Sequence, residues 1–332
     1  MLTAHATPQH RRGAWWALIA AFMTAALAAY GMAAVTGRDT AHAAESSPIG
    51  WASQNGGTTG GAGGSTVTVT SASALDSALQ SSSRLIIRVS GMISITGMHK
   101  VASNKSVLGV GSSSGITGGG LNLSSVSNVI IRNMVFRNAD DDSINVQTSA
   151  HNIWIDHNDL ASGHDGLVDI KRGSDFVTVS WNHFHNHDKT ALLGHDDGNA
   201  SQDVGHLRVT YHHNWFDATV QRHPRVRFGN PVHVYNNYYN GNSGYGVAST
   251  CNAGVLVERN YFENVSKPTV IQTGDSPQGN LRLVSNFLVS SGTPQSRNPS
   301  SVASVPYSYT ADAESSVKSI VTSGSGVGKI GL

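Results

Sequence analysis

The sequence predicts an all-β fold, a single-stranded right-handed parallel β-helix with an N-terminal capping helix. Seven asparagines, each followed two residues later by an apolar or aromatic residue, recur at Asn133, Asn158, Asn182, Asn214, Asn237, Asn260 and Asn286, at intervals of 25, 24, 32, 23, 23 and 26 residues. Periods of this size mark a solenoid, in which each repeat buries its apolar face against the next. Alternating apolar pairs precede the asparagines, among them Val129 and Ile131, Ile153 and Ile155, Val177 and Val179, Val232 and Val234, and Val255 and Val257, so each repeat carries a strand. Asparagine suits a fixed corner because it tolerates the left-handed backbone of a sharp turn and can hydrogen-bond its counterpart one coil away.

From the start of the chain, Arg11-Arg12, an apolar run from Ala14 to Val35 and the small-x-small triplet Ala41-His42-Ala43 read as a signal peptide over residues 1–43. The mature chain then begins near Ala44 and forms one secreted domain, 44–332. The run is also long enough to serve as an uncleaved anchor, although Thr24, Tyr30 and Gly31 interrupt it. Gly50 to Gly64 has the composition of a flexible linker. A short amphipathic helix is expected from about Ala74 to Ser81, with Ser73 as its N-cap and Leu75, Ala78 and Leu79 facing inward, ahead of a first strand at Leu85 to Val89. A helix at the open end of the coil would supply the cap a solenoid requires. The interval of 32 exceeds its neighbours and places a polar insertion at His195 to Asp203, where nothing demands chemistry. Val317, Ile320 and Val321 have helical spacing and suggest a C-terminal helix packed on the outside.

Residues 1–43 hold three arginines (Arg11, Arg12, Arg38) and one acid (Asp39), so of 22 basic and 21 acidic residues the mature chain keeps 19 and 20. This balance gives no argument for nucleic-acid binding. The lone Cys251 excludes an intrachain disulfide. His183, His185 and His187 alternate, but read as turn or core-lining residues rather than as zinc ligands. Trp181, Phe184, Trp215, Phe216, Tyr235, Tyr238 and Tyr239 read as a stacked core.

Counting onward from the asparagines aligns charged residues: Asp140, Asp165 and Lys189 lie seven residues beyond Asn133, Asn158 and Asn182, and Arg222 lies eight beyond Asn214. With coils roughly 4.8 Å apart these four form one column. Asp142 and Asp169, at even offsets from Asp140 and Asp165, face the same way. A carboxylate pair at about 4 Å repels by roughly 4 kcal/mol at an effective dielectric of about 20, so four converging acids need either protons or a cation. All-oxygen ligands of flexible geometry suit calcium.

The segments Trp154-Ile155-Asp156-His157, Asp165-Gly-Leu-Val-Asp169-Ile-Lys171, Val177-Thr-Val-Ser-Trp181-Asn182 and Arg222-His-Pro-Arg-Val-Arg227-Phe-Gly229 resemble signature blocks of the secreted pectate lyases of the pectate/pectin lyase superfamily. The likeness runs from Gly50-Trp51-Ala52 and the glycine-rich opening, which it makes a structured entry to the fold, to Gly328-Lys329-Ile330. It implies calcium-dependent β-elimination of α-1,4-linked polygalacturonate, an acidic plant cell-wall polysaccharide, by an extracellular monomer with no membrane association after signal cleavage. By resemblance, Asp142, Asp165 and Asp169 are calcium ligands, with Asp140 a fourth candidate. Lys189 and Arg227 hold the uronate, and Arg222 abstracts the proton. A free guanidinium stays protonated, so ordinary side-chain chemistry does not supply that last role, and Arg222 as a clamp on the substrate carboxylate stays open. Lys267, seven residues beyond Asn260, either extends the groove or is a surface lysine.

Rival readings are a calcium-independent pectin lyase, a non-catalytic calcium-binding β-helix that binds polysaccharide, and a glycoside hydrolase using paired carboxylates. The basic members of the column argue against a purely structural cation site, and commitment of the acids to a cation argues against hydrolysis.

Overall fold

The computed structural model describes residues 1–3 and 45–332. The predicted signal segment therefore lies, from residue 4 onward, outside the described residues. Among the described residues no helix is long and apolar enough to cross a membrane.

The chain winds as a parallel β-helix with three strand-bearing faces. One face is a ten-stranded sheet running from Ser65–Val69 through Leu85–Val89, Lys105–Gly109, Ser127–Arg132, His151–Asp156 and Asp175–Ser180 to Asn280–Val284. The other two faces diverge from one long strand, Gly115–Ser124. Its first half pairs with Val135–Arg137 and its second with Ile144–Gln147, and each run then continues coil by coil. Every strand pairing in these sheets is parallel and adds one coil, as the solenoid pattern requires. The alternating residues predicted to face inward do so: Val129, Ile131, Ile153, Ile155, Val177, Val179, Val232, Val234, Val255 and Val257 are all fully buried.

The corner asparagines form a side-chain ladder. The Oδ1 of Asn182 accepts from the backbone N–H of Asn158 at 3.0 Å and from its Nδ2 at 2.9 Å. Asn214 does the same for Asn182, and Asn237, Asn260 and Asn286 continue the series. The left-handed residue at each corner is the one before the asparagine, namely His157, Trp181, His213, Asn236, Arg259 and Ser285. Asn133 is not a member of the ladder, because it occupies the left-handed slot itself (φ 57°), and Met134 stands in the ladder position and donates its N–H to Asn158 Oδ1. The core stack agrees, since Phe136, not Val135, is in register with Leu160 and Phe184. Phe184, Phe216, Tyr239 and Phe262 follow as stacked rings at centroid spacings of 5.1, 5.0 and 4.3 Å.

The N-terminal helix, α1, spans Ala72–Gln80 and buries Leu75, Ala78 and Leu79, as its apolar stripe predicts. Its N-cap is Ser71 rather than Ser73, with the Ser71 hydroxyl accepting from Ala74 N–H, and it follows a strand, Ser65–Val69, that the sequence reading missed. The glycine-rich entry is structured: Trp51 N–H bonds Thr210 Oγ1, Ala52 N–H bonds Thr178 Oγ1, and the N–H groups of Thr59 and Gly60 share Asn128 Oδ1. A Cβ on Gly61 would sit 1.9 Å from Leu85 O, so only glycine lets this segment lie against the coil. The insertion contains one helical turn, Ala200–Asp203. The C-terminal helix, Val317–Gly324, lays Val317 and Val321 over Tyr238, Trp215 and Tyr261. Trp215 and Tyr238 thus belong to an outer column covered by this helix, while Phe184, Phe216 and Tyr239 fill the interior.

Replacing Asn214 by alanine removes the acceptor for two Asn182 donors and leaves Val179 O and Asn237 Oδ1 short of a donor, all fully or nearly fully buried. We expect a loss of about 3 kcal/mol, against roughly 0.5 kcal/mol or less for the exposed helical Gln80→Ala, measured by urea denaturation.

Candidate active site

The charged column lies at the entry to the face formed by Ile144–Gln147, Val168–Ile170, Ala191–Leu193 and Arg225–Arg227. Because Met134 holds the ladder position, counting seven residues onward reaches Asp141, not Asp140. The backbone agrees, with Asp165 N–H donating to Asp141 O. Ligand oxygens of Asp141, Asp142 and Asp165 lie within 4.8 Å of one another. Asp140, predicted as a member of this cluster, stands apart, and its carboxylate accepts from Gly97 N–H at 2.7 Å.

Asp169 lies between the inward residues Val168 and Ile170 and is itself buried beside Asp142. Gly166 makes this approach possible, since a Cβ there would stand 2.1 Å from Asp169 Oδ1 and 3.0 Å from Asp142 Oδ1. Burial, then repulsion from Asp142, pushes the Asp169 carboxyl up to about 7. Burial raises Asp142 too, although Lys171 and the Gly166 N–H pull the other way. Lys171 is the residue that sequence reasoning missed. Its Nζ lies 3.0 Å from Asp142 and 3.8 Å from Asp169, and the Asp169-x-Lys171 spacing, which puts both on one side of a strand, was the available signal.

Lys189 and Arg222 come together on Asp165, at 3.0 and 3.7 Å from its Oδ1. Burial works to raise Asp165, but the Lys189 hydrogen bond and the charges of Arg222 and Lys189 bring it below the ordinary carboxylate range. Arg222 keeps donors in hand: its Nε and Nη1 are buried with no hydrogen-bond partner. The next residue is anchored firmly, because fully buried His223 meets Thr219 Oγ1 through Nε2 and Tyr245 O through Nδ1, each at 2.8 Å. The Tyr245 phenol is raised by burial against the pull of Arg225, Arg222 and Arg227.

Arg227 is held by different groups from Lys189 and Arg222. Its Nε donates to Asp197 Oδ1 at 2.6 Å and its Nη1 to Gly194 O at 3.2 Å. Lys267 is exposed. The alternating histidines are not core-lining: His183 and His185 are part-exposed and converge on Asp159, which Arg137 also binds, while His187 meets the Asp165 carbonyl.

A family model described as pectate lyase matches residues 20–330, and the chain belongs to that family. It is 37% identical over 327 residues to a pectate trisaccharide-lyase of Bacillus licheniformis, covering 93% of this chain and 94% of the relative. It is 44% identical over 232 residues to pectate lyase plyB of Emericella nidulans, covering 67% and 70%. The solved structure of pectate lyase Bsp165PelA from Bacillus sp. N165, in complex with trigalacturonate, superposes with a TM-score of 0.78 at 34% identity, over 85% of this chain and 99% of the other.

Burial lowers the His223 pKa to about 4, well under the ordinary histidine value. A depressed folded pKa contributes stability that is present above the unfolded value of about 6.5 and is lost as pH falls towards 4. We expect His223→Gln to have a shallower loss of stability in that window than the parent, by up to about 1.4 kcal/mol per pH unit, read from denaturation midpoints between pH 7 and pH 4.

Proposed function

We propose that this protein is a calcium-dependent pectate lyase that cleaves polygalacturonate by β-elimination outside the cell, exported by residues 1–43 and acting as a monomer. The observation that carries this reading is the meeting of Lys189 and Arg222 beside a cluster of carboxylates, with Arg222 Nε and Nη1 buried and making no hydrogen bond. A hydrolase needs a carboxylic acid to protonate the leaving oxygen and a carboxylate to activate water. Here the acids are tied to one another and to cations, and the free donors are basic.

The donor set fits a hard divalent ion. Asp141, Asp142 and Asp165 present oxygens close enough to share one cation, and Asp169 adds a buried carboxyl next to Asp142. When bound, calcium would supply positive charge to the substrate carboxylate and so acidify the carbon-bound proton beside it. Lys189, with its ammonium part-exposed, is placed to bind that carboxylate and to stabilise the negative charge that develops as the proton leaves. Arg222 is assigned the proton. It takes that proton as the neutral guanidine, a form that neighbouring positive charge favours; as the carbon–hydrogen electron pair forms the new double bond, the bond to the glycosidic oxygen breaks, the oxygen keeps the pair of that bond and takes a proton from solvent, and the product is a 4,5-unsaturated oligogalacturonate. Lys171, held between Asp142 and Asp169, keeps those carboxylates together and limits their repulsion. Arg227 holds a uronate carboxylate through the donors its protein partners leave free.

The test is the ultraviolet absorbance of unsaturated product from polygalacturonate. We expect it to require calcium, to be abolished by chelator, and to be slower on highly methyl-esterified pectin, which lacks the charge these cations meet. Activity unchanged in excess chelator would move the reading to a calcium-independent pectin lyase, and absence of product with retained polymer binding would move it to a binding protein. Asp141→Ala and Asp169→Ala are expected to weaken calcium binding by calorimetry, and Asp140→Ala to leave it near that of the parent. Arg222→Lys should lower kcat by several orders of magnitude while calcium binding survives. A near-normal kcat in that variant removes Arg222 as the base.

A further inference from the structure

The insertion at His195 to Asp203 is anchored at both ends to coils other than its own. Asp203 is fully buried and its Oδ1 accepts from Gly173 N–H at 2.7 Å, one coil earlier. Asp197 reaches the other way. Its Oδ1 accepts from Arg227 Nε at 2.6 Å, Ser276 Oγ at 3.0 Å and Cys251 Sγ at 3.3 Å, donors drawn from three later segments of the coil. Burial works against its charge, but the hydrogen bonds from Arg227, Ser276 and Cys251 lower its pKa to about 2.

The opposite side of the same guanidinium is fixed by Gly194. A Cβ there would lie 2.7 Å from Arg227 Cβ, so the missing side chain lets the Gly194 carbonyl take Arg227 Nη1. Arg227 itself is 9% exposed and, among the described residues, its Nη2 makes no hydrogen bond. A flexible arginine is thereby reduced to one orientation with one edge left for a ligand. Planar, bidentate recognition of a carboxylate depends on such orientation.

We propose that Asp197 is a positioning residue for the lyase reaction: from the inserted loop it fixes the plane of the Arg227 guanidinium so that Nη2 is presented to a uronate carboxylate. This rests on the pectate lyase reading given above. Ser276, which also receives Arg225 Nη2 at 2.8 Å, braces Asp197 from the far side. In this role the loop tunes the uronate-binding site through Arg227.

The experiment compares Asp197→Ala, Asp197→Asn and the exposed neighbour Asp196→Ala with the parent, on polygalacturonate with saturating calcium. Asp197→Ala should raise KM roughly tenfold with kcat within about threefold, since a clamp acting alike in ground and transition states moves binding more than turnover. Asp197→Asn keeps an oxygen acceptor for Arg227 Nε and should recover most of that loss, while Asp196→Ala should match the parent. Adding Asp197→Ala to Arg227→Ala should cost nothing further. An unchanged or lowered KM in Asp197→Ala overturns the proposal, the latter by showing that Asp197 masks Arg227 instead of presenting it. So do additive losses in the double variant. If the parent itself forms no unsaturated product, it is the lyase reading that fails, and the variants are then compared for trigalacturonate binding by calorimetry, where loss in Asp197→Ala with recovery in Asp197→Asn supports the role and equal binding overturns it.

Discussion

The asparagine ladder is the constraint on which the rest of the molecule depends. A coil in a parallel β-helix touches only its neighbours, so nothing but local registration keeps one turn above the next. Each amide oxygen from Asn158 to Asn286 captures the backbone N–H of the preceding coil, and each amide nitrogen of the internal members bonds a strand carbonyl and the next amide. Such bonds are individually modest, about 1 kcal/mol net, but in a dry interior an unmade one costs more than a made one contributes. The ladder therefore sets register chiefly by penalising every other register. Inward strand residues and the Phe184–Phe216–Tyr239–Phe262 stack then fall into line.

That dependence explains what could be read from the sequence and what could not. Period, strand positions and apolar faces were legible because they repeat, and repetition averages out local exceptions. The first ladder position was misread because Met134 breaks the chemical pattern while Asn133, its neighbour, imitates it in the left-handed slot. The offset of one residue at that corner carries through to the site, where the count from Asn133 reaches Asp140 while it is Asp141 whose carboxylate lies near those of Asp142 and Asp165. Ser71 was missed as a cap for a related reason, since Ser71 and Ser73 are both capping residues by type and only the backbone distinguishes them. Contacts made across the insertion were illegible for a different reason: Asp197 and Arg227 lie in no periodic relation, so no count connects them.

Electrostatically, the site joins two kinds of stress. Asp142 and Asp169 are buried acids whose charge is disfavoured, and Lys171 relieves them in part. Lys189 and Arg222 crowd one carboxylate, Asp165, leaving Arg222 nitrogens without acceptors. Each half would be poor as a purely structural feature, because unpaired buried polar groups destabilise. Together they set a cluster of acids and a pair of cationic side chains next to one another on the same side of the coil.

The 32-residue coil between Asn182 and Asn214 keeps the same ladder bonds as its shorter neighbours, at 3.1 and 3.0 Å. Path length around a coil is thus invisible to the corner that closes it. A lineage can lengthen, shorten or rewrite the excursions on one side of the cylinder, while the pitch that aligns charged groups from successive coils stays the same. In this architecture specificity and scaffold are separable heritable parts, and changing one leaves the other in place.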